Sequence, residues 1–216
     1  MSYIVERREE EKERRRAEIL DAAIGLYAQR GWESVTVEQV ARSARLSRAL
    51  VYVYFRDKED VLFAIGERAM RTLRDRFVGA RASAATGIAQ VEAIGRAYVG
   101  YAHEFPHFFD FCSRFQSHSA SADPSSNEGA CQQAGAQVMA VLMEAIETGI
   151  ADGTIRADVG SPVYLATSLW AFTHGTIQVA MAKGAELARR GIAIPEFIDY
   201  SLRTILRMAQ APSTGH

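Results

Sequence analysis

Several groups of residues in this chain have the types and spacing that chemistry could use. Between Thr36 and Lys58, five bases (Arg42, Arg45, Arg48, Arg56, Lys58) face two acids (Glu38, Asp57). That stretch carries five minus two, or +3, in a chain whose formal total is −1. A local positive patch on a near-neutral chain suits contact with phosphates rather than general coating of nucleic acid. A second group, His103-Glu-Phe-Pro-His107, matches the H-E-x-x-H zinc-protease string. That chemistry needs both imidazoles on one face of a continuous helix, and Pro106 inside the string breaks the turn, so no metal is expected. The two cysteines, Cys112 and Cys131, could form a redox switch only with a lowered thiol pKa. A chain with two cysteines has no disulfide framework, which fits a reducing cytoplasm. A third group is rich in aromatic and soft side chains: Tyr98, Tyr101, Phe105, Phe108, Phe109, Cys112 and Phe115, then Met139, Met143, Trp170, His174 and Gln178. Single aromatics are usually core. Together with a few polar partners these twelve are expected to line a largely apolar small-molecule pocket. No Gly-rich phosphate loop or nucleophile elbow is present, so neither a catalytic residue nor a cofactor is expected.

The elements that must position these groups are helical. The chain is 48% apolar, long enough at 216 residues for a real core, and has only five prolines. Residues 6–18 alternate acid and base and read as a solvated helix start, with an arm of Arg14, Arg15 and Arg16 reaching DNA as the minor alternative. Ile19, Ala23 and Leu26/Tyr27 continue at helical spacing until Gly31. Thr36-Val-Glu-Gln39 is a capping-box pattern opening a helix to about Ala44. Ser47 caps a short helix ending near Tyr54, and Asp57 caps a long one. In that long helix Val61, Ile65, Ala69, Leu73 and Phe77 form one apolar stripe. Further helices are predicted from Gly87 to about Tyr101, from Pro106, from Cys131 to Ala151, from Ser161-Pro162 to Lys183, and from Pro195 to Ala209, with a loop over 117–128. The predicted fold is all-α, with about nine helices. An N-terminal three-helix domain over 13–73 contains a helix-turn-helix at 36–55, followed by a helical bundle over 74–210. No apolar run approaches the ~20 residues of a membrane span, and the charged N-terminus is unlike a signal peptide, so no membrane and a cytoplasmic location are expected.

The residues Arg16-Ala-Glu-Ile19-Leu20-Asp-Ala22-Ala23, Gly31-Trp32, Thr36-Val37, Val40-Ala41, Leu46-Ser47-Arg48 and Tyr52-Val-Tyr-Phe-Arg-Asp-Lys-Glu59 together resemble the N-terminal domain of the TetR family of repressors, over about residues 14–63. The resemblance implies that the third helix enters the major groove of a roughly palindromic operator duplex. Ser47, Arg48 and Leu50 would approach bases, Arg48 as a bidentate guanine contact and Leu50 at a thymine methyl. Tyr52, Tyr54, Lys58, Thr36, Arg42 and Arg45 would contact phosphates. Two departures from the family pattern are Arg45, where glycine is usual, and Ala49-Leu50, where Gly-Thr is common. Trp170-Ala-Phe-Thr-His174-Gly175 resembles a signature of one class of TetR C-terminal domains, over about 90–185. That implies a homodimer built from 162–183 and 195–209, including Leu165, Leu169, Phe172, Ile177, Phe197, Leu202 and Ile205. It also implies operator release on binding a hydrophobic or aromatic effector. An activator, a helical carrier or enzyme with a vestigial DNA-binding head, and an architectural DNA binder without a ligand remain as alternatives.

Overall fold

The computed structural model describes residues 3–114 and 123–211. Among the described residues the regular structure is α1 (Tyr3–Arg30), a 3-10 turn (Trp32–Ser34), α2 (Val37–Ser43), α3 (Arg48–Tyr54), α4 (Lys58–Ala82), α5 (Gly87–Glu104), α6 (Pro106–Arg114), α7 (Asn127–Ala151), α8 (Pro162–Arg189) and α9 (Ile194–Ala209). The one extended feature is an isolated antiparallel bridge between Ile155 and Gln210, which ties the end of α9 to the turn after α7.

Most helix ends fall where local chemistry demands. Gly31 takes the left-handed φ of 75° that ends α1. Thr36 accepts the Gln39 N–H at 3.2 Å, while the Gln39 side chain accepts the Thr36 N–H at 3.0 Å, a complete capping box. Asp57 accepts the Asp60 N–H at 2.8 Å and opens α4. The boundaries of α7 and α8 differ most from expectation. α7 starts at Asn127 rather than Cys131, because the Ser126 hydroxyl accepts the Gly129 N–H at 3.0 Å and caps the helix earlier. α8 runs past Lys183 to Arg189, because Gly184 is followed by the helix formers Ala-Glu-Leu-Ala and the left-handed stop comes only at Gly191. Of the expected loop at 117–128, residues 117–122 lie outside the described residues.

Contacts divide the chain into two units, Met1–Met70 with Phe105–Ala134, and Arg71–Glu104 with Gly135–His216. The sequence split at 73/74 therefore omits α6 and the start of α7 from the first unit. Gly66 of α4 supplies the reason, since a Cβ there would overlap the Phe111 ring, so α6 lies directly against α4. Tyr27 of α1 also donates its hydroxyl to Asp110 of α6 at 2.9 Å. The first unit's core holds Ile19, Ala23, Tyr27, Val40, Ala41, Val51, Phe55 and Ile65, all under 5% exposed. Ala41 is small where α2 meets its neighbours, as close helix crossing requires.

The second unit buries Leu73 and Phe77 of α4 with Ile94, Tyr98 and Tyr101 of α5, Leu142 and Ile146 of α7, Leu169 and Ile177 of α8, and Leu202 of α9. Gly87 touches the Gly149 backbone so closely that a Cβ on Gly87 would overlap it. Helix α7 is, by length and composition, apolar enough to cross a membrane, although the sequence holds no uninterrupted apolar run of that length. Its Val138, Leu142 and Ile146 are instead buried in the second unit's core. Leu169, Ile177 and Leu202, expected at a subunit interface, are also buried within this unit. The outward apolar side chains of α8 and α9 include Tyr164, Phe172, Val179, Met181, Tyr200 and Met208, and Trp170 of α8 is also exposed.

Arg45 has a φ of 58° in the turn after α2, the left-handed region where a Cβ is penalised by roughly 1 kcal/mol or more. Arg45→Gly should raise stability by about 0.5–1 kcal/mol, seen as a higher urea midpoint at unchanged m-value.

Candidate nucleic-acid interface

The turn from α2 to α3 closes through backbone bonds from Leu46 N–H to the Ala41 carbonyl (2.9 Å) and from Arg45 N–H to the Arg42 carbonyl (3.1 Å). The Ser47 side chain then accepts the Leu50 N–H at 3.1 Å and starts α3. On α3, Val51 is 1% exposed and anchors the helix to the core, while Leu50 and Tyr54 are half-buried. Arg48, Ala49, Tyr52 and Val53 are exposed. At 100° per residue these four span one face of the helix. Arg48 donates to the Tyr52 hydroxyl at 3.1 Å, with its guanidinium carbon 5.4 Å from the centre of the Tyr52 ring. Tyr52 thus presents a preset arginine as well as its own hydroxyl.

The other expected contacts are scattered around this face. Arg42 pairs with Glu38 at 3.3 Å, an exposed i,i+4 pair that an incoming phosphate can exchange. The Lys58 ammonium donates to the Glu33 carbonyl at 3.3 Å and lies 5.1 Å from the Trp32 ring centre. Its charge is thereby held beside the 3-10 turn. Thr36 is exposed, its oxygen engaged in the capping box. In α1, Arg14 and Arg15 pair with Glu11 and Glu18, and Arg16 donates to Asn127 at 2.5 Å and lies 5.4 Å over the Phe55 ring. Arg14 and Arg15 are thus paired within α1, while Arg16 ties α1 to Asn127 and Phe55.

Sequence reasoning missed three residues. Ala49 and Val53 were passed over because neither carries a polar group, although their four-residue spacing beside Arg48 was a usable signal. Asp60, in the first turn of α4, was not among the expected site residues. It is 5% exposed, accepts the Arg56 N–H at 3.0 Å and pairs with the Arg56 guanidinium at 3.5 Å. It locks the corner between α3 and α4.

The twelve residues expected to line a pocket divide between the units. In the second, the Tyr98 hydroxyl meets His174 Nδ1 at 2.7 Å, with Trp170, Phe77 and Tyr101 around them at ring separations of 5.6 Å from His174, and 6.0 and 6.4 Å from Tyr98. Met139 and Met143 are half-buried, while Gln178 is exposed. In the first unit, Phe108 and Phe109 are buried and Phe105 packs on Phe108 at 5.7 Å. Phe115 lies outside the described residues. Burial pushes the Cys112 and Cys131 thiols up to about 12, so neither is a thiolate near neutrality, which argues against a redox switch. The H-E-x-x-H string is split between two helices, since α5 ends at Glu104 and α6 starts at Pro106. A cavity of about 460 Å³ in the first unit is lined by Tyr27, Trp32, Phe63, Asp110, Phe111 and Arg114 among others, and by none of the twelve.

Two capped helices, a tight turn and an outward basic face define a helix-turn-helix DNA-binding protein. A family model for bacterial regulatory proteins of the tetR family matches residues 19–65, and one for the tetracyclin repressor-like C-terminal domain matches 91–204, more than half the chain. The chain belongs to the TetR family. It is 45% identical over 51 residues to the HTH-type transcriptional regulator HbdR of Aromatoleum sp. (strain CIB), covering 24% of this chain and 22% of that protein. It is 38% identical over 82 residues to the HTH-type transcriptional regulator BetI of Rhizobium meliloti (strain 1021), covering 38% and 40%. The chain thus aligns with two fifths or less of these curated relatives. Among solved structures, a Rhodococcus sp. RHA1 protein of unknown function superposes with a TM-score of 0.74 at 22% identity, covering 91% of this chain and 95% of that one. The FadR regulator of Bacillus subtilis in complex with stearoyl-CoA superposes at 0.67 and 15% identity, covering 93% and 99%. These two likenesses establish the fold.

Two outcomes follow. Asp60→Ala removes a charged acceptor from the Arg56 N–H and should cost about 1–3 kcal/mol in chemical denaturation. Burial also holds His174 and His107 below the ordinary imidazole value of 6.5. The unfolded chain then binds more protons than the folded one, so stability should fall as pH drops from about 7.5 to 5.5. Replacing both histidines with glutamine should flatten that part of the stability–pH curve.

Proposed function

We propose that this protein is a homodimeric transcriptional repressor that holds a roughly palindromic operator through α3 and releases it when a small hydrophobic or aromatic effector binds. The observation that carries the reading is the exposed face of a capped, core-anchored α3, with Arg48 preset by Tyr52. Arg48 then serves base edges. Tyr54, Lys58, Thr36, Arg42 and Arg45 serve the backbone, and Ser47, whose side chain caps α3, and Leu50 approach the bases at the helix start. Pairing through the outward apolar faces of α8 and α9 supplies two reading heads for two half-sites. The effector reading rests on the Tyr98–His174 cluster with Trp170, Phe77 and Tyr101, a polar pair set among aromatic side chains. A fold relative that holds stearoyl-CoA supports an effector with a large apolar part. Helix α4 begins beside α3 and continues as one helix into the second unit, so an effector that binds one α4 arrangement better than another would act on the reading head. The reading includes a cytoplasmic location, where operator DNA would be met.

The test is fluorescence anisotropy of the full chain against its own upstream intergenic DNA. Wild-type affinity should be specific and should fall steeply with salt as phosphate counterions are displaced. Arg48→Ala should lose roughly tenfold or more on that DNA. Adding stearoyl-CoA as a first apolar probe should dissociate the complex. A chain that binds no DNA specifically yet binds apolar ligands would be a carrier.

A further inference from the structure

The exposed face of α3 has two lanes. One is polar, Arg48 with Tyr52, and the other is apolar, Ala49 with Val53. Val53 is 74% exposed, the most exposed large apolar side chain on this helix, while Leu50 is half-buried at the helix edge. A β-branched apolar side chain so far out of the core has nothing within the protein to cover it. Ala49, one turn earlier, keeps the same lane low enough for close approach. The apolar group that the major groove offers is the thymine C5-methyl. Beside that lane, the Arg48 guanidinium spends one N–H on the Tyr52 hydroxyl at 3.1 Å and lies over the Tyr52 ring, which leaves donors of the fork to point outward.

The geometry points to a division of labour within α3: Val53 reads a thymine methyl, and Tyr52 is a positioning residue that fixes Arg48 for a guanine. This rests on the DNA-binding reading above. It transfers the methyl contact from Leu50 to Val53, and gives Tyr52 a role beyond a phosphate contact. Five residues of helix separate Arg48 from Val53, about 7.5 Å. At a rise of about 3.4 Å per base pair, the guanine and the thymine should lie about two steps apart in each half-site.

The experiment starts by selecting bound duplexes from a random pool with the full wild-type chain. Each thymine of the enriched half-site is then replaced by uracil, which removes only the methyl, and each guanine by 7-deazaguanine, which removes only the N7 acceptor. One uracil position should weaken wild-type binding about fourfold per half-site, the worth of one buried methyl. Val53→Ala should bind thymine and uracil duplexes equally, while Leu50→Ala should keep the difference. Tyr52→Phe retains the ring but removes the hydroxyl, and should shrink the penalty for 7-deazaguanine on the order of threefold while leaving the uracil effect in place. Specific binding in which every uracil is neutral, or in which Val53→Ala keeps the methyl dependence, overturns the Val53 assignment alone. An unchanged guanine penalty in Tyr52→Phe overturns the positioning role. If no sequence is enriched, both this inference and the DNA-binding reading fall.

Discussion

The reading helix is only as well placed as the corner that follows it, and that corner turns on the buried carboxylate of Asp60. It is the one charged side chain in the buried set among the described residues. A carboxylate taken from water must be compensated, and here the Arg56 N–H and guanidinium do so, while the Asp57 carboxylate caps the Asp60 backbone N–H. Because those partners lie in the α3–α4 connection, satisfying the charge fixes the angle at which α3 leaves α4. Val51 and Phe55 then press α3 onto the core, and its outer face is left with Arg48, Ala49, Tyr52 and Val53.

The α2–α3 turn sets the opposite end. Arg45 accepts a left-handed backbone that glycine would adopt without strain. A residue held at that cost in a basic surface turn is consistent with a use for its charge, and the cost is modest beside the capping bonds at Thr36 and Ser47. Lys58 is oriented in a similar way, by a backbone carbonyl and a Trp32 face. Several of the cations thus arrive preset by neutral or weakly bound partners, which lowers the entropy lost when they meet phosphates.

The second unit is organised by close packing and small residues. Gly87 against Gly149 lets α5 and α7 touch backbone to backbone, and Tyr98 and Tyr101 further along α5 are buried in the same unit. The Tyr98–His174 pair is a polar contact among aromatic rings, and the same burial that makes it strong depresses the imidazole's affinity for protons.

Much of this was legible in the residues themselves. Helix ends are local events, set by a side chain and the N–H groups two or three positions away, so Thr36, Ser47, Asp57, Gly31 and Pro106 marked their boundaries without any knowledge of the fold. The apolar stripe of α4 and the charge excess at 36–58 were equally local. What only the tertiary structure decided depends on which distant surfaces meet. Gly66 admits Phe111, so α6 joins the first unit although it stands well outside it in sequence. Leu169, Ile177 and Leu202 turn inward while Tyr164, Tyr200 and Met208 turn out, a choice that helical periodicity permits either way. The aromatic residues between 98 and 178, alike in composition, separate into two units because α5 stops at Glu104 and α6 packs elsewhere. On α3, likewise, the sequence supplied both Leu50 and Val53, and only the burial of Val51 determined which of the two faces outward.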